Sequence, residues 1–194
     1  MKGMPGTERA GLLPASAACA AAVALCLLAL VGVMELWRAD LRVPFAYRHD
    51  ALWMGAGVRG LLENGSRLHN PRLGAPGVQD LRDYPTSDSL HWLLLRLVGL
   101  FTPDWAVAMN VFFLLTFPLA ALCALAALRQ LGLSHPASAA GGLLYAFLPY
   151  HFQRGETHLF LAAYYPVPLA LLVALWVEQD PAFVASLGRG QGVS

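Results

Sequence analysis

A knot of ionisable side chains, Tyr150-His151-Phe152-Gln153-Arg154-Gly155-Glu156-Thr157-His158, is set between two apolar runs. Ionisable groups at the edge of a membrane segment are costly, and they mark sites of ion pairing, proton transfer or substrate binding. An arginine in such a place can hold two phosphate oxygens, and a carboxylate can take a proton from a hydroxyl. If helical geometry persists through this knot, His151, Arg154 and His158 share one face at i, i+3 and i+7. Earlier carboxylates, chiefly Asp40 and Asp50, with Glu35, Asp80, Asp83, Asp88 and Asp104 around them, are the other candidates. Plainer roles compete. Asp50 and Asp88 stand where helix N-caps are wanted, Glu35 can pair with Arg38, and Arg154 and Glu156 can simply bound two spans.

Composition says what must position these groups. Hydrophobic residues make up 57% of the 194 and charged residues 13%, against about a quarter charged in soluble domains. The chain therefore reads as an integral membrane protein, with membrane lipids as its first partner. A net charge of +1 lacks the clustered excess of cations that nucleic acid requires. Lys2 is the only lysine, and the abundance of arginine, alanine and leucine points to a GC-rich bacterial genome. Cys19, Cys26 and Cys123 lie inside apolar runs without zinc or redox spacing, as packing residues do. No phosphate-binding loop, dinucleotide fingerprint, zinc signature or nucleophile elbow is present.

The expected fold is all-α, a single polytopic membrane domain over residues 1–194. Spans are expected at about 12–37, 105–128, 136–152 and 159–177, each close to the roughly 20 apolar residues a bilayer demands. Lys2 and Arg9 put the N-terminus in the cytoplasm of a bacterial inner membrane. A cleaved signal peptide is the rival reading of the first run, but that run leads without a cleavage site into Glu35-Leu36-Trp37-Arg38. Residues 38–104 then form a large extracytoplasmic loop with two surface helices. One runs from Asp50 to about Glu63 and stops at Asn64-Gly65. The other runs from Asp88 to Phe101, with Leu90, Leu94, Leu97, Val98 and Phe101 as its apolar side; at about 21 Å it is too short to span. Between them, proline and glycine predict ordered turns. Pro118 predicts a kink in the second span, and Gly141-Gly142 a close helix approach in the third. Tyr164-Tyr165-Pro166-Val167-Pro168 breaks the fourth, leaving a kinked span or a re-entrant segment. The tail 178–194 has no packing pattern.

This order of parts, with the words Arg48-His49-Asp50-Ala51-Leu52, Asn70-Pro71-Arg72-Leu73-Gly74-Ala75-Pro76, Asp83-Tyr84-Pro85 and Leu148-Pro149-Tyr150-His151-Phe152 through His158, resembles the N-terminal part of bacterial C-type (GT-C-like) membrane glycosyltransferases over about residues 12–177. The resemblance implies a polyprenyl-phosphate sugar donor. It implies Asp50 as the acid after the first helix that serves as base or metal ligand, with Asp40 as competitor, and Glu156 as a second-loop acid beside His158. On this hypothesis Arg154 steadies the lipid-phosphate leaving group, and His151 and His158 are further substrate-binding candidates. A divalent metal is not required by the pattern, because the second loop has no Asp-X-Asp pair. Family enzymes have many more spans, so the chain is expected to be a fragment of that architecture. A noncatalytic membrane module that packs against a partner membrane chain is the alternative.

Overall fold

The computed structural model describes residues 15–84 and 88–179. The readings placed on Lys2, Arg9, Pro85-Thr86-Ser87 and the tail from Asp180 lie outside the described residues. In chain order the elements are α1 (Ala15–Val33), a 3-10 turn (Leu36–Arg38), α2 (Asp50–Asn64), a short antiparallel ladder β1–β2 pairing His69 with Asp80 and Asn70 with Gln79, α3 (Ser89–Val98), α4 (Trp105–Gln130), α5 (His135–Ala146), α6 (Pro149–Arg154), a second 3-10 turn (Gly155–His158), α7 (Leu159–Ala162) and α8 (Val167–Gln179).

α1 and α4 are long and apolar enough to cross a bilayer. α1 buries only the stripe Ala18, Ala22, Cys26 and Leu30, at four-residue spacing, against α4 and α5. Its remaining surface is apolar and largely exposed, as a lipid-facing helix requires. It stops at Val33, short of the expected Trp37, because Glu35 adopts a left-handed φ of 47° and the chain tightens into the 3-10 turn.

α4 is the hub on which α1, α2, α3, α5 and α8 pack. Asp104 caps it, accepting the Ala106 and Val107 N–H groups at 2.9 and 3.2 Å, and the helix continues through Pro118. α5 docks closest. A Cβ on Gly142 would stand 2.4 Å from the Ala121 carbonyl oxygen, so only glycine permits that backbone approach. Ser134 caps α5, and Pro136 sits in its first turn, where no N–H is missed.

The later apolar runs are split rather than continuous. Leu148, extended at ψ 141° ahead of Pro149, separates α5 from α6. Tyr164-Tyr165-Pro166 separates α7 from α8. The stretch His135–Ala162 and the helix Val167–Gln179 are bent by 59° at that break, as a broken span or a re-entrant loop is. Where four spans were expected, the described residues carry two spanning-length helices, or three spans if the bent pair counts as one.

Between α1 and α4, α2 keeps close to its expected extent, whereas α3 stops at Val98, short of the expected Phe101. α2 ends at Gly65, left-handed at φ 70°. α3 is capped by Asp88, whose carboxylate accepts the His91 N–H at 3.4 Å. α3 packs by a side turned partly away from its expected apolar face, with Leu94 and Val98 half-buried against the core. His91, Trp92 and Leu95 are buried, whereas Leu90, Leu97 and Phe101 are exposed. An apolar stripe left open in this way is what a membrane interface covers.

Candidate functional site

Gly155 decides how the ionisable knot is presented. At φ 47° and ψ −149° it turns the chain out of α6, so His151, Arg154 and His158 do not share a helix face. The residues on either side of it go to three different places.

His151 points into the bundle and is fully enclosed. Its Nδ1 lies 2.8 Å from the Ala146 carbonyl, which can only accept, so Nδ1 carries the proton. Its Nε2 lies 2.7 Å from the Thr116 hydroxyl, and the ring stacks on Phe117 with centroids 3.7 Å apart. Both ring nitrogens thus face partners inside the core. Arg154 lies half-buried with its guanidinium 5.2 Å from the centre of the Tyr150 ring, a cation–π arrangement, and among the described residues its N–H groups make no hydrogen bond.

His158 turns towards α2, where its Nδ1 stands 3.4 Å from the Asp50 carboxylate. Asp50 is the first residue of α2 and caps nothing: the cap position is His49, without a side-chain cap bond. Its carboxylate is exposed, with the His158 ring beside it. The second 3-10 turn as a whole packs on α2, so two loops separated by more than 90 residues meet here.

Glu156 is buried at 2% exposure. Its Oε2 accepts the Ala46 N–H at 2.9 Å, while Oε1 makes no hydrogen bond among the described residues. From the other side, Asn110 of α4 holds the same stretch. Its Oδ1 accepts the Phe45 N–H at 3.1 Å, and its Nδ2 donates to the Leu41 and Val43 carbonyls at 2.8 Å each. Residues 41–46 thus form a strap pinned by one spanning helix and one loop, leading directly into Asp50. Asp40 lies just outside the strap, exposed, and spends its Oδ1 on the Arg42 N–H at 2.9 Å, a local turn. Structure therefore brings Asp50, His158 and Glu156 to one end of α2 and leaves Asp40 and His151 apart from them.

A second feature lies further along α2. A cleft of about 560 Å3 is lined by Tyr47, Leu52, Arg59, Glu63, Arg72 and Trp105, among others. Gly55 forms part of its floor: a Cβ there would meet the Trp105 ring at 2.7 Å, so the missing side chain lets the indole lie against α2. Arg59 Nε donates to Glu63 Oε1 at 2.8 Å, and Arg72 Nη1 donates to Oε2. Hydrogen bonding from Arg59, the largest influence, with help from the charges of both arginines, holds the Glu63 carboxyl below the usual carboxylate range and outweighs burial, which raises it. Sequence reading passed over this cluster, though Arg59 and Glu63 at i, i+4 on a helix were its signal. Asn110 was passed over too; a lone amide in a charge-free run was the sign.

Among the described residues, no group of three or more histidines, cysteines and acids is placed to hold a metal ion. Asp50 and His158 together offer two donors. No family model, curated protein or solved structure matches this chain.

Proposed function

We propose that this is a bacterial inner-membrane protein with its N-terminus in the cytoplasm, whose extracytoplasmic face carries a sugar-transfer centre of the C-type glycosyltransferase kind. The observation that supports it is the meeting of Asp50 and His158 at 3.4 Å, from two loops far apart in sequence. In this reading Asp50, oriented by His158, takes the proton of an acceptor hydroxyl. The hydroxyl oxygen forms a bond to the anomeric carbon of a polyprenyl-phosphate sugar as the bond from that carbon to the phosphate oxygen breaks. The lipid phosphate leaves with its electron pair, and Arg154, braced on Tyr150, supplies a cation for it. Glu156 is a positioning residue: it fixes the strap that delivers Asp50.

The test is transfer of labelled sugar from a polyprenyl carrier by the full-length protein in membranes. Asp50→Asn is expected to lower turnover by about a hundredfold or more, the scale of a lost general base, and His158→Gln by less. Glu156→Gln keeps an acceptor for the Ala46 N–H and should retain most turnover, whereas Glu156→Leu loses it together with thermal stability. Unchanged turnover in both Asp50→Asn and His158→Gln would remove the reading.

A second reading rests on α8. That helix buries only Leu172, while Val167, Leu171, Val173 and Trp176 are exposed. Such a face suits packing against another membrane helix, in a noncatalytic assembly module or in the remainder of a longer enzyme. Wild-type protein that transfers no sugar, yet is stabilised by a partner chain through the α8 face, would favour the module.

A further inference from the structure

We infer that the cleft between α2 and the β1–β2 arm is a binding site for a phosphate group, with room for an apolar body beside it, separate from the Asp50–His158 centre and independent of whether that centre transfers sugar.

The charge balance points to an anion. Arg59 and Arg72 face a single carboxylate, Glu63, which leaves the cleft with one net positive charge. Each arginine side chain is more than half exposed and is seen to donate one N–H to Glu63, out of the five N–H groups a guanidinium carries. The unused donors are planar and paired, the geometry that two phosphate oxygens accept. A mobile anion can therefore share or displace Glu63 without leaving either cation unpaired.

The other walls suit an apolar moiety beside that anion. Trp105, Leu52 and Leu73 line the same cleft, and the volume is within the range of small-molecule sites. The roof belongs to a separate element. Arg72 and Leu73 ride on the β1–β2 arm, which is tied to α2 by the Arg72–Glu63 pair and by Asn64 Nδ2 donating to Asn70 Oδ1 at 3.2 Å. Trp105 begins α4, a helix of spanning length, so the apolar wall continues onto a surface that meets lipid. Phosphate is the shared chemistry of two sources, a lipid headgroup and a soluble phosphate ester or free phosphate.

The test is calorimetric titration of the full chain in nanodiscs of neutral lipid, with empty nanodiscs as the partition control, using octyl phosphate and inorganic phosphate as separate probes. Saturable binding is expected. Arg59→Gln and Arg72→Gln should each weaken it about tenfold or more, the scale of a charge-assisted hydrogen bond. Glu63→Gln should tighten it severalfold, because it removes the competing anion. Arg38→Gln, an exposed arginine paired with Glu35 elsewhere, should leave it unchanged. Preference for octyl phosphate identifies a headgroup as the source, and equal affinity for the two probes identifies soluble phosphate; both support the site. The inference is overturned if neither probe binds saturably, if Arg38→Gln costs as much as Arg59→Gln, or if Glu63→Gln weakens binding as the arginine variants do. Sugar transfer is not part of the readout, so failure here and failure of the Asp50 assignment are told apart.

Discussion

His91 shows how much one residue's surroundings decide. It lies buried on α3 with its ring among Phe112, Phe160 and Tyr165, and its Nδ1 abuts the Asp88 carboxylate. Burial, the largest influence, pushes its pKa below the usual 6.5, and the Asp88 charge and hydrogen bond oppose it only in part. Protonation is therefore easier in the unfolded chain. Its contribution to stability is complete above pH 6.5 and is lost as pH falls from there towards the folded value. On going from pH 7.5 to pH 5.5 the detergent-solubilised His91→Gln variant should keep more of its melting temperature than the wild type does. An unaltered pH dependence in the variant would assign the effect elsewhere. At this scale the sequence was read unevenly. Asp88 is a cap as its position suggested, and Asp104 caps as well, because short carboxylates ahead of an apolar run have an obvious use. Asp50 could not be sorted by the same rule: the positive φ of His49 shifts the cap by one residue, and nothing in the residue types announces that.

At the scale of elements, the extents of α2 and α4 were legible, since a glycine stop, an aspartate start and an uninterrupted apolar run each have a local cause. The knot was not. Its one-face arrangement assumed a continuous helix, and the turn at Gly155 sends His151 inward and His158 towards α2. The face of α3 was also hidden, because apolar periodicity says which side avoids water but not whether protein or lipid covers it. The α4–α5 contact gives a sharper expectation. Gly142→Val forces side-chain atoms against the Ala121 backbone and should destabilise the fold by about 1–3 kcal/mol. Gly32→Ala, on α1 with open space around its Cβ, should be neutral or slightly stabilising. Thermal denaturation in detergent separates the two, and equal melting temperatures would mean that α5 does not approach α4 so closely.

At the scale of the whole molecule, hydrophobicity alone made a membrane protein of this chain, and α1 and α4 bear out the spanning lengths. The count of four spans required each later apolar run to be one straight helix. Leu148-Pro149 and Tyr164-Tyr165-Pro166 break both runs, and a hydropathy window averages over such breaks. Sidedness is testable directly. Ala75 is exposed at the tip of the β1–β2 arm, so Ala75→Cys in intact cells should react with a membrane-impermeant maleimide if that arm is extracytoplasmic. Labelling only after lysis would invert the topology.

The strap at residues 41–46 also has a history in time. Its Phe45 N–H is held by a residue 65 positions later, and its Ala46 N–H by one 110 positions later. A ribosome adding about 5 to 20 residues per second needs roughly 5 to 20 s to supply Glu156 after Ala46 has been made. The approach to Asp50 is therefore among the last parts of the molecule to set, and a nascent chain arrested between residues 110 and 156 holds the strap by its amide anchor alone.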